Sequence, residues 1–239
     1  MPTGTVRLNS PATAIHPDGR GGLAVQTPDG TLRAEHVVLA LPPALAVEYI
    51  DFVNTFPAGL LRLARATSVW MGAVAKVVAP YPFACWRERG LDVPRSAGPD
   101  RCRGLTTCQG PTGGLARCSD SPTRTFRPGF DQAVRAQLAQ LFGPAAATPD
   151  ALCVQDWSVE QWTSPSSVQR PDDHPRFGHR LYQRPTLHGR LHWASTETAT
   201  EHAGRIEGAL ASGERAALAV LAASSAANEP GIDVISAGT

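Results

Sequence analysis

Leu191 to Ala217 reads L-H-W-A-S-T-E-T-A-T-E-H-A-G-R-I-E-G-A-L-A-S-G-E-R-A-A, and this stretch decides the fold. It parses as a short strand, a polar turn and a helix. Leu191, Trp193 and Ala194 form an apolar strand end. Ser195, Thr196, Glu197, Thr198 and Thr200 crowd hydroxyls and a carboxylate into one turn. Thr198 or Thr200 is suited to cap the helix that follows, its side-chain oxygen accepting from the first free amides. In that helix Ile206, Ala209, Leu210, Gly213, Ala217, Val220 and Leu221 recur at helical spacing and predict its buried face. Gly204, Gly208 and Gly213 each weaken an isolated helix by on the order of 1 kcal/mol relative to Ala. That cost suggests that another group comes close to the backbone there. A strand, a hydroxyl-rich turn and a small-residue helix N-terminus suit an anionic, hydroxylated cofactor. An ordinary strand–helix unit packed through small residues accounts for the same spacing and is the simpler reading of the pattern alone.

Towards the N-terminus, residues 5 to 41 carry strand and hairpin signals. Val6 and Leu8 alternate with polar neighbours; Ala12, Ala14 and His16 lead to the turn Pro17-Asp18-Gly19. Leu23, Val25 and Thr27 lead to a second turn, Pro28-Asp29-Gly30. Two such turns between alternating segments predict a meander. The apolar run Val37-Val38-Leu39-Ala40-Leu41, stopped by Pro42-Pro43, suits a strand buried on both faces.

The middle is uneven. Leu60, Leu61, Leu63 and Ala64 predict a helix over Pro57 to Thr67, and Val134, Leu138, Leu141 and Phe142 another over Phe130 to Phe142, stopped by Gly143-Pro144. Met71 to Ala79 reads as a strand with Lys76 embedded in it, the sole lysine among 22 Lys and Arg. A lysine buried in such a strand is driven towards its neutral form; one snorkelling from the strand end is the alternative. Residues 92 to 129, rich in Pro, Gly, Arg, Ser and Thr, lack apolar periodicity and predict an irregular loop. Cys102, Cys108 and Cys118 within it fit no usual zinc spacing. Asp172-Asp173-His174 with His179 reads as a solvated loop, so no metal site is expected.

Composition sets the outer bounds. The 239 residues carry a formal net charge of +1, which points to neither nucleic acid nor an acidic membrane surface. No apolar run is long enough to span a bilayer, and Met1-Pro2-Thr3-Gly4 opens no secretory signal. The five cysteines include no C-x-x-C pair and read as free thiols in a reducing compartment, the cytoplasm.

Several of these stretches resemble the flavin-dependent amine oxidases, the monoamine oxidase-like family. Members read aromatic-Ala-Gly-Thr-Glu-Thr-Ala-Thr, then Gly-Tyr-Met-Glu-Gly-Ala, then Ser-Gly-Glu-Arg-Ala-Ala. This chain has Trp193 to Thr200, Gly204 to Ala209 and Ser212 to Ala217 in those places, with Ser195 for Gly and Arg205 for Tyr. Pro11-Ala12 stands at the family's Pro-Val, and Ala40-Leu41-Pro42-Pro43 at its Ala-hydrophobic-Pro-Pro. Gly72 to Val77 is similar to its Gly-x-x-x-Lys strand, and Pro82 to Arg87 echoes its Pro-Phe-Trp-Arg with a slip. The family also has core strands where residues 92 to 129 look irregular, which reads as a frame change that later reverts.

The resemblance implies an α/β (α+β) chain. Residues 1–66 would be a portion of an incomplete, Rossmann-like FAD-binding domain with a β-meander. Residues 67–186 would belong to a partial mixed-sheet substrate domain, 187–225 to the FAD-binding domain again, and 226–239 to a disordered tail. It implies FAD bound by Ala12, Trp157, Glu197, Thr198, Gly204, Arg205 and Ile206, and a water held by Lys76. Thr163-Ser164-Pro165-Ser166-Ser167 replaces the Gly-Cys of covalently flavinylated members, so the FAD would be non-covalent. Trp162, Ser167 and Arg205 would face the substrate, with Ser167 and Arg205 in place of two caging tyrosines. The implied chemistry is hydride transfer from an amine carbon to flavin N5, then reoxidation by O2 to peroxide. The family's Gly-x-Gly-x-x-Gly is missing: Gly19-Arg20-Gly21-Gly22 lies between strands and opens no helix. A truncated member, with a partner chain supplying the nucleotide-binding half, is one expectation. A catalytically inactive remnant or structural module is the other. A serine hydrolase is disfavoured by the lack of a Gly-x-Ser-x-Gly elbow.

Overall fold

The computed structural model describes residues 5–52, 55–69, 75–87, 90, 104–110, 113–120, 129–166 and 176–228. The chain divides into two compact units, Met1–Ser68 with Asp173–Thr239, and Val69–Asp172. Among the described residues no helix is long and apolar enough to cross a membrane.

The first unit opens with the expected meander. Strands β1 (Ala14–Pro17), β2 (Leu23–Thr27) and β3 (Gly30–Ala34) pair antiparallel in that order, joined at the two Pro-Asp-Gly turns. Asp18 shapes the first turn: its Oδ1 accepts from the amides of Arg20 (2.7 Å) and Gly22 (2.9 Å). Val6 and Leu8, expected in a strand, stand exposed and unpaired to any described strand, because the meander begins only at Ala14. β4 (Val37–Leu39) pairs in parallel with β9 (Leu191–Trp193), Val37 opposite Leu191 and Leu39 opposite Trp193. The expectation that this strand is buried on both faces is corrected: Leu39 is buried but Val38 is 44% exposed. Among the described residues β9 is the sole strand paired with β4, so no described strand pairs with its other edge.

Helices α1 (Pro43–Tyr49) and α2 (Ala58–Ala66) cover the other side. Pro at the first position of α1 has no amide to lose, and its fixed φ suits the helix start. α2 buries Leu60 and Ala64, four residues apart, as the spacing predicts. Ile15, Leu23, Leu39, Phe52, Phe56, Leu60, Tyr182, Leu191 and Trp193 form one core. Trp193 lies between Phe56, centroids 6.1 Å apart, and Tyr182, edge-on at 5.5 Å. Tyr182 shares a 2.6 Å hydrogen bond with Thr67, both fully buried. This pairing joins the segment around Tyr182 to the first unit, with which residues 176–186 group.

The second unit is a four-stranded sheet in the order β6 (Gly104–Gly110), β7 (Gly113–Asp120), β5 (Ala75–Tyr81), β8 (Cys153–Asp156). Every pairing in it among the described residues is antiparallel. The irregular loop expected over 92–129 is corrected for 104–120: that backbone is a hairpin whose β7 pairs along the whole of β5. A strand can be templated by a neighbour's free amides and carbonyls without an apolar alternation of its own. Cys102 lies outside the described residues. Helix α3 (Phe130–Phe142) buries Val134, Leu138 and Phe142 against Val77, Ala79, Tyr81 and Trp86. Gly143, at φ +99°, ends it as the sequence predicts. Cys85 and Cys153 are free thiols.

Helix α4 (Ile206–Asn228) closes the chain's described part. Residues 226–228 of the expected tail are helical, and the rest of it lies outside the described residues. The buried face of α4 is also corrected. Gly208, Ser212 and Ala216 face inward, whereas Ile206, Leu210, Leu218 and Leu221 are 60–77% exposed. Small side chains let the helix approach β9 and the following turn closely, which outweighs the burial its larger residues would have gained elsewhere.

Candidate functional site

The segment between β9 and α4 is built from the inside out. A single 3-10 turn, Thr196–Thr198, follows the strand, and Ser195, Glu197 and Thr198 are buried in it. The Thr198 hydroxyl donates to the Ser195 carbonyl at 2.7 Å, and the Thr196 hydroxyl to the Arg205 carbonyl at 2.8 Å. Neither Thr198 nor Thr200 caps α4, because the chain runs on to Ile206 before the helix starts. His202 at φ +52° and Gly204 at φ +79° reverse its direction. Gly208 sits under that reversal: a Cβ there would lie 2.4 Å from the His202 carbonyl oxygen.

Three residues that sequence reasoning passed over hold the turn in place. Arg215 donates from Nη2 to the Trp193 carbonyl at 2.7 Å and to Thr198 Oγ1 at 3.4 Å, and from Nη1 to the Thr198 carbonyl at 3.4 Å. Gln183 Nε2 reaches the Thr198 carbonyl at 2.7 Å. Gly178, at φ +63°, donates its amide to the Glu197 carbonyl at 2.9 Å, and a Cβ on it would collide with the Ala199 carbonyl at 2.5 Å. Arg215 had a signal, a cation directly beside Ala216 and three residues after Ser212 on the small-residue side of the helix. Gly178 and Gln183 lie in a polar segment with none.

Against this ordered backbone stand three buried polar atoms without a hydrogen bond of good geometry, Trp193 Nε1, Ser195 Oγ and Glu197 Oε2, although the Ser195 hydroxyl lies near enough to the Glu197 carboxyl to favour its charged form. Each such atom is costly to bury, and three within five residues call for a polar guest. One donor, one hydroxyl and one carboxylate oxygen complement a ligand bearing several hydroxyls and a carbonyl, the chemistry of a ribityl chain and its ring. The residues present thus fit a flavin nucleotide at this turn.

Burial pushes the Glu197 carboxyl above its ordinary range. A raised folded-state value means that this group favours the fold below its unfolded value, about pH 4.3. That contribution is lost as pH rises through the folded value. Glu197→Gln removes the titration. The variant should be more stable than the parent at neutral pH, and its urea midpoint should lose the fall seen above pH 4.3. An unchanged slope between pH 4 and 8 would show that Glu197 carries no such penalty.

The other expected site residues are placed as follows. Ala12 is half-buried against the first unit's core, and Arg205 and Ile206 are exposed at the helix start. In the second unit Lys76 stands on the exposed side of β5, between buried Ala75 and Val77. Trp157 is half-buried in the 3-10 turn Trp157–Val159, its Nε1 without a partner. The Asp156 carboxylate holds this turn by accepting from the Ser158 amide and hydroxyl. Trp162 is 64% exposed. Ser167 and the Asp172-Asp173-His174 run lie outside the described residues. Among the described residues no group of His, Cys, Asp and Glu could hold a metal ion.

A family profile described as Flavin containing amine oxidoreductase matches residues 1–221. An L-amino acid dehydrogenase from Synechocystis sp. is 30% identical over 91% of this chain and 47% of its own length. A putative flavin-containing monoamine oxidase, AofH, from Mycobacterium tuberculosis is 31% identical over 91% and 48%. In three dimensions the chain is similar to putrescine oxidase bound to putrescine, with a TM-score of 0.76 and 23% identity over 90% of this chain and 49% of that one. It is similar also to cyclohexylamine oxidase from Brevibacterium oxydans, with a TM-score of 0.73 and 25% identity over 90% and 48%. The chain spans about half the length of the curated relatives it matches.

Proposed function

Since this chain belongs to the flavin containing amine oxidoreductase family, we propose that it is the C-terminal part of an FAD-dependent oxidoreductase. The observation that carries this is the cluster of buried, under-satisfied polar atoms, Trp193 Nε1, Ser195 Oγ and Glu197 Oε2, at the family's most specific motif. When bound, FAD supplies the two-electron oxidation of a C–H bond beside an amine nitrogen, with O2 as the expected final acceptor. Glu197 accepts from hydroxyls of the nucleotide, and Thr198 and Gly204 shape the backbone around it. Arg205 and Ile206 border it at the helix start, and Ala12 offers backbone contact. With no thiol at 163–167, attachment is non-covalent. Lys76 would hold a water, and Trp157 would flank the ring.

Trp162, Ser167 and Arg205 are proposed to meet the substrate. A guanidinium at 205 repels a simple cationic amine but pairs with a carboxylate. Such a residue suits an amine that also bears a carboxyl group. The nucleotide-binding half is proposed to come from another polypeptide: parallel strands are ordinarily covered on both faces, and here β4 and the exposed row of α4 are open. The free thiols Cys85 and Cys153 suit the cytoplasm. The second reading, an inactive module of the same fold, draws on that same openness.

The test is direct. The purified chain is titrated with FAD, desalted and examined for visible flavin absorption. A yellow protein that releases its colour on denaturation is expected. A colourless chain that ignores FAD leaves the inactive module as the conclusion.

A further inference from the structure

We propose that the cleft beside the meander, lined by Arg20, Arg33, Arg190, His36 and His188, binds a small phosphate-bearing anion. It lies at the opposite end of the β4–β9 pair from the Ser195–Arg205 turn: His36 and Arg190 precede the two strands, whereas that turn follows β9. It is independent of the flavin reading.

The cleft measures about 450 Å³, within the size range of small-ligand sites. Three guanidinium groups reach it from three separate segments: the β1–β2 turn, β3 and the loop before β9. Two carboxylates also line it, Asp18 and Glu35. Asp18 is largely committed, since its Oδ1 serves the amides of Arg20 and Gly22, and its Oδ2 stands 3.8 Å from Arg33 Nη1. Arg20 and Arg190 form no ion pair among the described residues. Arg190 is held by donation from Nη1 to the Glu35 carbonyl at 3.1 Å, and its Nη2 packs beside Gly21, 3.9 Å from where a Cβ there would stand. Three guanidiniums against two carboxylates leave one positive charge over in the lining.

The backbone gives a second, separate indication. Leu187, His188 and Gly189 have φ of +49°, +58° and +83° in succession. Non-glycine residues in this region cost of order 1–3 kcal/mol each and persist where the surroundings enforce them, often at ligand clamps. Here the run is closed by hydrogen bonds between Thr186 and Leu191, at 2.9 and 3.0 Å, and it carries both His188 and Arg190. Paired guanidiniums present forks of N–H donors that match phosphate oxygens two at a time. A multiply charged phosphate can engage more than one of these guanidiniums at once, where a single carboxylate engages one.

Calorimetric titration of the 239-residue chain with inorganic pyrophosphate at low salt tests this. Binding at least tenfold tighter than that of malonate is expected, weakened tenfold or more in Arg20→Gln/Arg33→Gln and unchanged in Arg62→Gln on α2. Circular dichroism confirms that the double variant is folded, and its response to FAD should equal the parent's. Equal affinity for malonate, or full binding by the double variant, would overturn the proposal. So would displacement of pyrophosphate by FAD, which would make the cleft part of the nucleotide's own site. A fall in melting temperature of the double variant with no pyrophosphate binding in the parent would mean that the cations serve only the stability of the first unit, and would overturn it equally.

Discussion

Gly208→Ala should destabilise the first unit by about 1–3 kcal/mol and abolish FAD binding, while Gly213→Ala in the same helix should stabilise it. Replacing a mid-helix glycine with alanine ordinarily gains up to about 1 kcal/mol. At Gly213 nothing lies within 4 Å of the added methyl, so the ordinary gain applies. At Gly208 the methyl would meet the His202 carbonyl oxygen at 2.4 Å and its carbon at 2.9 Å, with the Ala199 Cβ at 3.2 Å. These are mostly backbone atoms. His202 already sits at φ +52°, and its carbonyl accepts from the Arg205 amide at 3.1 Å. The reversal cannot yield without losing that bond and shifting the turn that carries Glu197. Urea denaturation of the two variants gives the sign, and FAD titration gives the functional consequence. If both glycines behave alike, the close approach of helix and turn is not what Gly208 is for.

That contrast bears on what the sequence makes legible. The meander, α2 and α3 follow from local signals: two Pro-Asp-Gly turns, and apolar residues three and four apart. Helix α4 does not, because hydrophobic periodicity assumes that large side chains go inside. There the inward stripe is Gly208, Ser212 and Ala216, selected for closeness, so the periodic rule finds the opposite face. The hairpin over 104–120 escapes for another reason: its pairing comes from the edge of β5 and not from its own residues. Val38 shows the limit of reading a three-residue apolar run, which cannot tell whether a second layer covers the strand.

The site divides in the same way. The motif from Trp193 to Ala217 marks where the turn falls, and Glu197 and Gly204 stand in it as that motif implies. The residues that hold it, Gly178, Gln183 and Arg215, act through backbone carbonyls and a close contact, and such partners leave no composition or spacing of their own. Lys76 is on β5 as expected, but on its exposed side, so the desolvation argued from an embedded lysine does not operate there.

Trp193→Ala should cost the first unit about 3–5 kcal/mol, a large share of the roughly 5–15 kcal/mol that holds a domain together. Trp193 is 1% exposed and touches both Phe56, just before α2, and Tyr182 from the loop before β9. Truncation would leave a cavity bordered by two aromatic rings, neither free to collapse into it. Phe56 is stacked on Phe52 at 3.9 Å, and Tyr182 is tied to Thr67 at 2.6 Å. Trp193→Phe should cost much less. It keeps most of the apolar contact and removes the indole N–H, which has no partner to lose. The pair therefore separates volume from hydrogen bonding at the same atom positions. Urea unfolding followed by circular dichroism should show the Ala variant with a broadened or absent transition and the Phe variant with a cooperative one. If the tryptophan instead donates to a bound flavin, FAD should stabilise the parent more than the Phe variant, although both fold. Equal stabilisation would leave Trp193 a packing residue alone and pass the burden of holding the nucleotide to Ser195 and Glu197.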